Sequence, residues 1–186
     1  MQIKIPPLED LMRELGATWF PNVPDLSALD ESTRSEMTLR LRAQYLSQEA
    51  RKARREREPE KAIQLILQSL TIEHSLQNEA GIASDLGNLG ALYFDIRQLD
   101  KAENTLKHAL DMDERAGREI DVAVNLYWLG QVEIRKKRLD EAHRLVERSY
   151  HILSACNHGH VASVKEPGRM RRIILSVRVM IDPREE

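Results

Sequence analysis

Apolar residues recur at intervals of three and four through the middle of the chain, which is the spacing of amphipathic helices. In this pattern one helix is expected from Ile82 to Ile96 and another from Lys101 to Arg115. A longer helix is expected from Glu31 to Arg57, and Pro59 suits the start of the helix that follows. The pattern therefore predicts helices joined in pairs by short connections.

The helical pattern repeats every 40 residues. At this offset the matching positions are Leu86 and Leu126, Leu89 and Leu129, Gly90 and Gly130, Leu99 and Leu139, Asp100 and Asp140, and Ala102 and Ala142. One period earlier, Leu46, Ala62 and Ile66 continue the same series. A fixed period of about 20 to 50 residues is typical of a solenoid. We therefore expect three helical hairpins, over residues 40–80, 81–120 and 121–157.

Two glycines lie inside predicted helices at the same phase of the repeat. Glycine in a helix interior is about 1 kcal/mol less favourable than alanine, so its recurrence at Gly90 and Gly130 indicates a packing reason. We expect the partner helix of each hairpin to cross there, with Ala102 and Ala142 as the facing residues.

The start of the second helix in a hairpin has the pattern of a capping box. Asp100 is a good N-cap, and Glu103 lies three residues later. Leu99 is placed to pack as a hydrophobic staple, and Asp140 repeats the cap in the next hairpin. The sequence therefore predicts side-chain caps at Asp100 and Asp140.

The repeated residues have a known spacing. The positions are Leu86, Leu89, Gly90 and Tyr93, followed by Ala102 and Leu106. They resemble the tetratricopeptide signature W-x2-L-G-x2-Y…A-x3-F, with leucine in place of tryptophan and phenylalanine. Residues 126–146 match as well, except that Glu133 stands at the tyrosine position; the first hairpin matches less well, because Glu49 and Ala50 replace Leu-Gly.

The chain thus resembles the tetratricopeptide-repeat family. Its 40-residue period is similar to the long-repeat subset found in kinesin light chains and spindle-orientation adaptors. The resemblance implies an all-α, right-handed superhelical solenoid of three hairpins, over residues 31–157, with N- and C-terminal capping segments.

The two ends of the chain differ from the repeats. We interpret residues 1–30 as an N-terminal cap; a docking or dimerising segment carrying Trp19 and Phe20 is the alternative. Residues 158–186 are expected to form a loop and a C-terminal capping helix. The β-branched residues between Ile173 and Ile181 suit a strand nearly as well.

Composition narrows the class of protein. The net charge of −2 supplies no general attraction to nucleic acid or to an anionic membrane. The single cysteine rules out an internal disulfide framework and suits a reducing compartment. No apolar run approaches the ~18 residues of a membrane helix, and the N-terminal residues do not have the pattern of a secretory signal. We therefore expect a cytoplasmic protein with neither nucleic-acid nor membrane partners.

Motifs for catalysis do not occur in the sequence. There is no phosphate-binding glycine loop, no nucleophile elbow and no His-Glu-x-x-His. Cys156, His158 and His160 supply three metal-ligand side chains in a crowded stretch, whereas a structural zinc site needs four. We interpret this stretch as a loop, and we expect a non-enzymatic protein without metal or cofactor.

The family resemblance places the first helix of each hairpin along a concave groove. By helical phase the groove residues are Gln44, Gln48, Arg51 and Arg55, then Ser84, Asn88 and Asp95, then Tyr127, Trp128, Gln131 and Arg135; Arg54, Ala91 and Val124 lie beside or within the same stripe. Aromatic residues and arginine are enriched at binding hot spots, and Asn88 and Gln131 suit contacts with a peptide backbone. The alternatives are packing against a neighbouring repeat or the C-terminal cap for Trp128, and a solvated helix end for the arginines.

We therefore expect a scaffold or adaptor that binds a protein or peptide, most simply an extended peptide or a partner helix, in this groove. Arginines at one end and Trp128 at the other indicate an acidic, partly apolar ligand. Two other functions remain open: a self-assembling module that forms a homodimer through its N- or C-terminal segment, and a regulatory protein whose curvature changes with a bound ligand.

Overall fold

Six helices make up residues 30–158, the part of the chain that the computed structural model describes. In chain order they are α1 (Glu31–Arg55), α2 (Pro59–Ser75), α3 (Glu79–Asp95), α4 (Leu99–Arg115), α5 (Glu119–Arg135) and α6 (Leu139–His158). No strand occurs between residues 30 and 158. The predicted all-α fold of helical hairpins is thus confirmed. The predicted N-terminal cap with Trp19 and Phe20, and the C-terminal capping helix or strand, lie outside the described residues.

The contacts divide the chain into two compact units, Met1–Asp85 (unit 1) and Leu86–Glu186 (unit 2). The boundary falls within α3. In unit 1, α1 packs against α2, and alanines on α1 allow the two helices to approach closely. Their shared core consists of Leu41, Ala43, Leu46, Ala50 and Ala53 from α1 and Ala62, Leu65, Ile66 and Leu70 from α2.

Unit 2 holds the stronger copies of the repeat. Helix α5 packs against both α4 and α6. One core cluster consists of Ala102 and Leu106 from α4 together with Leu129 and Val132 from α5. A second cluster joins Ala123 of α5 to Leu153 of α6. The core of unit 2 is therefore continuous from one hairpin to the next.

Every connection between consecutive helices has three residues and the same backbone geometry. The middle residue has a positive φ in each case: Arg57, Gln77, Arg97, Gly117 and Lys137. The next N–H donates to the carbonyl five residues back, as from Glu58 to Ala53 and from Gln98 to Tyr93, both at 2.9 Å. This Schellman arrangement satisfies carbonyl groups at the helix end. It recurs every 20 residues, which is half of the sequence period.

The predicted capping box is wrong. Helix α4 begins at Leu99, its N-cap is Gln98, and no side chain makes a cap hydrogen bond. Asp100 therefore lies inside the first turn, where its charge still favours the helix N-terminus. Helix α6 likewise begins at Leu139, ahead of Asp140. The Schellman turn carries the chain directly into the next helix, so the helix starts before the residue that looks like a cap.

Two helix boundaries also differ from the prediction. Helix α3 begins at Glu79, one turn before Ile82. Helix α1 ends at Arg55, because Arg57 takes a φ of 62° and closes the turn. Pro59 stands in the first turn of α2, as expected.

The packing role of the helical glycines is confirmed. A Cβ added at Gly90 would lie 2.5 Å from Cγ of Leu106, and one at Gly130 would lie 2.5 Å from Cγ2 of Val146. The side chains that press on the glycines are thus Leu106 and Val146 rather than the predicted alanines, although the carbonyl oxygen of Ala142 lies 3.5 Å from the Gly130 position. In each of these hairpins, the two helices pack so closely at the glycine that a Cβ atom there would clash.

None of the helices between residues 30 and 158 combines the length and the apolar character needed to cross a lipid bilayer.

Candidate partner-binding surfaces

Unit 2 carries an aromatic surface on its first helices, formed by Phe94 of α3 and by Tyr127, Trp128 and Arg135 of α5. The ring centroids of Phe94 and Trp128 lie 5.7 Å apart, and those of Tyr127 and Trp128 lie 5.4 Å apart, edge to face. The guanidinium carbon of Arg135 lies 5.3 Å from the Phe94 centroid. Tilted ring pairs and cation–π contacts favour fixed relative positions of these groups. The surface is therefore preformed.

The other predicted groove residues of unit 2 have mixed exposure. Asn88 and Gln131 are half-buried, whereas Asp95 and Arg135 are exposed. Ala91, which helical phase places on the same stripe, is only 2% exposed and belongs to the core. The stripe is therefore interrupted at Ala91, and its exposed polar groups in unit 2, Asp95 and Arg135, are the last residues of α3 and α5.

Trp128 serves in packing as well as on the surface. Its half-buried side chain lies against the cluster of Ala102, Leu106, Leu129 and Val132. Phe94 packs on the same cluster. Replacement of Trp128 would therefore disturb the core together with the surface, so the peripheral residues Tyr127 and Arg135 are better probes of binding. The sequence did not predict Phe94 as a residue of this surface, because the residue 40 positions later is the aliphatic Ile134 and the aromatic side chain does not recur.

The predicted residues of unit 1 lie on α1 and on the first half of α3. Arg51 and Arg55 are exposed near the end of α1, and Gln48 is half-buried. Gln44 is also half-buried; its Oε1 atom is inaccessible and accepts no hydrogen bond from the described part of the chain. Ser84 of α3 is exposed. Unit 1 thus presents a basic helix end, a separate feature from the aromatic surface.

A buried polar cluster in unit 1 was not found from the sequence. The Ser47 hydroxyl donates to Oδ1 of Asp85 at 2.6 Å and lies 3.0 Å from the Ser69 hydroxyl, which donates to the carbonyl of Ala43. Asp85 is 2% exposed, and its Oδ2 atom has no partner among the described residues. Burial raises the pKa of Asp85 from 3.8 to about 6, against the opposing hydrogen bonds from the serines. The cluster ties α1, α2 and α3 together around one carboxyl group.

Unit 2 has a neutral residue at the position of this carboxyl group. Asn125, 40 residues after Asp85, is 3% exposed and donates from Nδ2 to Asp113 at 2.7 Å. Arg118 donates to the other oxygen of Asp113, also at 2.7 Å. Burial nevertheless raises the pKa of Asp113. A Cβ at Gly87 would lie 2.9 Å from Oδ1 of Asn125, which explains the glycine there.

Lys136 joins the third hairpin to the second. Its ammonium group donates to Asp100 at 2.5 Å and to Glu103 at 2.6 Å, and its side chain is only 13% exposed. Hydrogen bonds from Lys107 and Lys136 lower the pKa of Glu103 to about 2. The acidic residues that the sequence suggested as a capping box therefore serve as an ion-pair site between hairpins.

The described residues do not bring together a set of metal ligands. Between residues 30 and 158, no three His, Cys, Asp or Glu side chains are placed to hold an ion. The predicted loop at Cys156 is wrong, because α6 continues to His158. The Cys156 thiol lies 3.7 Å from Glu119, and burial with this neighbouring carboxylate raises its pKa. Such a thiol is a weak nucleophile at neutral pH.

Comparison with known proteins places this arrangement in a recognised class. The chain is a helical repeat protein, and within unit 2 one hairpin packs on the next through a shared core. Residues 81–155 match the family model of the tetratricopeptide repeat. The predicted resemblance is confirmed: residues 81–155 carry tetratricopeptide repeats. Repeats of this family are generally modules for protein–protein interaction.

A solved structure supports the same fold. The crystal structure of BtubC (BKLC) from P. vanneervenii is similar to this chain with a TM-score of 0.60 at 20% sequence identity. The similarity covers 92% of this chain and 64% of the other, so the chain spans less than two thirds of that protein's length. No curated protein matches the sequence. At this identity the likeness concerns the fold.

Proposed function

We propose that the aromatic surface of unit 2 binds an extended peptide or a helix of a partner protein, and that the chain acts as a non-enzymatic, cytoplasmic scaffold. The observation that carries this proposal is the fixed group of Phe94, Tyr127, Trp128 and Arg135 on the first helices of the hairpins. Interfaces concentrate their binding energy in aromatic and arginine side chains of this kind. Because the rings already hold each other in place, little side-chain entropy is lost on binding.

The chemistry of the surface favours an acidic, partly apolar ligand. An apolar ligand side chain fits against the rings of Tyr127 and Trp128, and a carboxylate fits the exposed guanidinium of Arg135. The amide groups of Asn88 and Gln131 suit hydrogen bonds with a peptide backbone. Asp95 disfavours a second acidic group near the end of α3, because like charges repel.

The test is a selection of peptides from a random display library on the full chain, followed by titration of a selected peptide. Trp19→Phe leaves Trp128 as the one tryptophan of the two in the sequence, so its fluorescence reports binding at the aromatic surface. We expect peptides that combine Asp or Glu with an aromatic or large aliphatic residue. Arg135→Glu is expected to weaken their binding by roughly tenfold or more, since a hot-spot arginine contributes about 1–2 kcal/mol or more.

Arg144→Glu is the matched control, because Arg144 is an exposed arginine of α6 that pairs with Glu141 on its own helix. Equal affinity of the Arg135 and Arg144 variants would contradict the proposal. So would a selection that yields basic peptides, or a peptide whose binding leaves Trp128 fluorescence unchanged.

For unit 1 we propose a separate set of peptide contacts, made by Gln44, Gln48, Arg51, Arg55 and Ser84. Arg55→Glu tests this part by itself: weaker binding of the selected acidic peptides is expected. An unchanged affinity would confine the binding surface to unit 2.

A self-assembling module remains the alternative function. Exposed Ile134 and Leu139 favour it, at 36% and 65% exposure. Static light scattering of the full chain measures the mass directly, and a concentration-independent monomer would exclude this alternative.

A further inference from the structure

Unit 1 buries two carboxyl groups close to each other. Glu73 of α2 and Asp85 of α3 are only 7% and 2% exposed. A Cβ atom at Gly81 would overlap the carboxyl group of Glu73, so this group lies directly against the backbone of α3. Gly81 and Asp85 are four residues apart and therefore lie on the same side of that helix. The two carboxyl groups are thus about one helical turn apart along α3.

Neutral side chains donate hydrogen bonds to both carboxyl groups. The Ser47 hydroxyl donates to Oδ1 of Asp85 at 2.6 Å, and Nδ2 of Asn78 donates to Oε2 of Glu73 at 2.7 Å. The Oδ2 atom of Asp85 is inaccessible and accepts no hydrogen bond from the described residues. Two full negative charges are unfavourable here, because burial penalises an ionised carboxyl group and like charges repel.

The corresponding positions of unit 2 carry a balanced set of charges. The residues of unit 1 and their counterparts 40 residues later are Glu73 and Asp113, Asn78 and Arg118, and Asp85 and Asn125. Arg118 and Asn125 each donate to Asp113 at 2.7 Å, so a single carboxylate meets a guanidinium group and an amide. Unit 1 has an acid in place of that amide and an amide in place of that guanidinium group. Its buried pair therefore lacks the positive charge that Arg118 supplies in unit 2.

The charged groups of the neighbouring helices do not offset the effect of burial. Burial raises the pKa of both carboxyl groups, and the charge of Glu73 adds to the rise at Asp85, whose pKa reaches about 6. From α1, the charge of Arg51 lowers the pKa of Asp85 and that of Arg40 lowers the pKa of Glu73, but both effects are smaller. The pair therefore takes up a proton at mildly acidic pH.

We propose that Glu73 and Asp85 form a proton-binding site, and that the bound proton supplies the positive charge that Arg118 supplies in unit 2. With the proton bound, Asp85 and its contact with Ser47 hold α1 and the start of α3 on α2. Loss of the proton leaves two like charges in the core and weakens this packing. Unit 1 then loosens as the pH rises from about 5 to about 7, and it does so independently of the aromatic surface of unit 2.

Hydrogen exchange of the full chain, measured by mass spectrometry at pH 5 and at pH 7.5, tests the site. Protection factors correct for the pH dependence of intrinsic exchange, and those of α1 and α2 are compared with those of α5 and α6. With a pKa of about 6 at Asp85, protection in α1 and α2 is expected to fall about tenfold between the two pH values. We expect a fall of less than about threefold in α5 and α6.

Asn78→Arg gives unit 1 the guanidinium group that unit 2 has at Arg118. At pH 7.5 we expect it to keep the protection of α1 and α2 about threefold or more above that of the parent. Gln98→Arg is the matched control, because Gln98 is a neutral, exposed residue at the same position of the next helix connection. This control should behave as the parent does. Asp85→Asn removes the acid and should abolish most of the fall in protection.

Equal protection of α1 and α2 at the two pH values in the parent would overturn the proposal. So would equal protection in the Asn78 and Gln98 variants, or a fall that persists unchanged in Asp85→Asn. Millimolar calcium or magnesium chloride, or sodium chloride in place of tetramethylammonium chloride, should leave protection at pH 7.5 unchanged. A rise in protection confined to α1 and α2 would instead assign the site to a metal cation and overturn the proposal.

Discussion

At the scale of single residues, the close approach of helices depends on glycines, which have no Cβ atom. Gly90 leaves room for Leu106, and Gly130 leaves room for Val146. Both large side chains are almost fully buried, so neither can move away from an added methyl group.

Gly90→Ala is expected to destabilise the protein by about 1–3 kcal/mol, since overpacking exceeds the ~1 kcal/mol that alanine adds in helix propensity. Urea denaturation measures the change. Ser84→Ala, at an exposed position of the same helix, is the control and should be neutral or slightly stabilising. Leu106→Ala combined with Gly90→Ala should cost less than the sum of the two single changes; additive losses would contradict direct contact.

The buried Asp85 carboxyl makes stability depend on pH. Its pKa is raised from 3.8 to about 6, so the folded chain prefers the protonated form. The contribution of the protonated Asp85 carboxyl to the free energy of unfolding is therefore complete below about pH 4, and it is lost as the pH rises through about 6. The difference between the pKa values of Asp85 in the unfolded and folded chain corresponds to about 3 kcal/mol in the free energy of unfolding.

Asp85→Asn removes this titration and imitates the amide at Asn125. We expect the variant to be more stable than the parent at pH 7.5, by roughly 1–3 kcal/mol, and the advantage to shrink toward pH 4.5. Thermal denaturation across this range measures it. A constant difference between the two proteins at every pH would contradict the assignment.

Whether the role of a residue could be predicted from the sequence depends on whether the residue recurs with the repeat. The role of the glycines was predictable because they recur at the same position of the repeat, although glycine disfavours a helix interior. The Ser47, Ser69 and Asp85 cluster was not, because its members are 22 and 16 residues apart, lie on three helices and do not recur one repeat later. Trp128 was placed correctly on the first helix, but phase alone does not show that one side of a large ring packs inward.

At the scale of helices and connections, the structure is more regular than the sequence. Five connections share one Schellman geometry, yet only Gly117 has the residue that favours a positive φ. The other four place Arg57, Gln77, Arg97 and Lys137 in a conformation that is about 1–2 kcal/mol unfavourable for a side chain with a Cβ atom. The hydrogen bonds and packing of the hairpins therefore impose the turn. Because the turn starts the next helix at Leu99 and at Leu139, Asp100 and Asp140 are not the N-caps that the sequence predicted.

Replacement by glycine at such a turn relieves the strain. Gln77→Gly is expected to raise stability by roughly 0.5–1 kcal/mol, after the added entropy of the unfolded chain is subtracted. Chemical denaturation gives the value. Ser75→Gly, two residues earlier in the last turn of α2, should lower stability by a similar amount; a loss for both variants would argue against strain at Gln77.

The Lys136 ion pairs make the contact between the second and third hairpins sensitive to acid. Hydrogen bonds from Lys107 and Lys136 lower the pKa of Glu103 to about 2, so the contribution of these ion pairs to stability is present above the ordinary value of 4.5 and is lost as the pH falls toward 2. Lys136→Met keeps the length of the side chain and should cost about 1 kcal/mol at pH 7. Parent and variant should converge near pH 2 in urea titrations, whereas Lys107→Met, at an exposed position, should have a smaller effect.

At the scale of the whole molecule, repeat proteins are held together by contacts between neighbouring hairpins. Stability can therefore differ along the chain, and a substitution acts most strongly on the hairpin that carries it. We expect Asp85→Asn at pH 7.5 to slow amide hydrogen exchange most in α1 and α2, and Lys136→Met to speed it most in α4 to α6. Exchange measured by mass spectrometry resolves these segments. A uniform change along the chain would indicate all-or-none unfolding.

The identical connections have a consequence for how such a chain can change in length. Residues 99–138 begin with Leu-Asp and end just before a second Leu-Asp, and both ends of this stretch have the same turn hydrogen bonds. A tandem copy of the stretch would therefore join Arg138 to a leucine through a junction that the chain already contains. Duplication or loss of one 40-residue segment by recombination creates no new connection between helices. The number of hairpins can therefore vary while each remaining turn keeps its geometry.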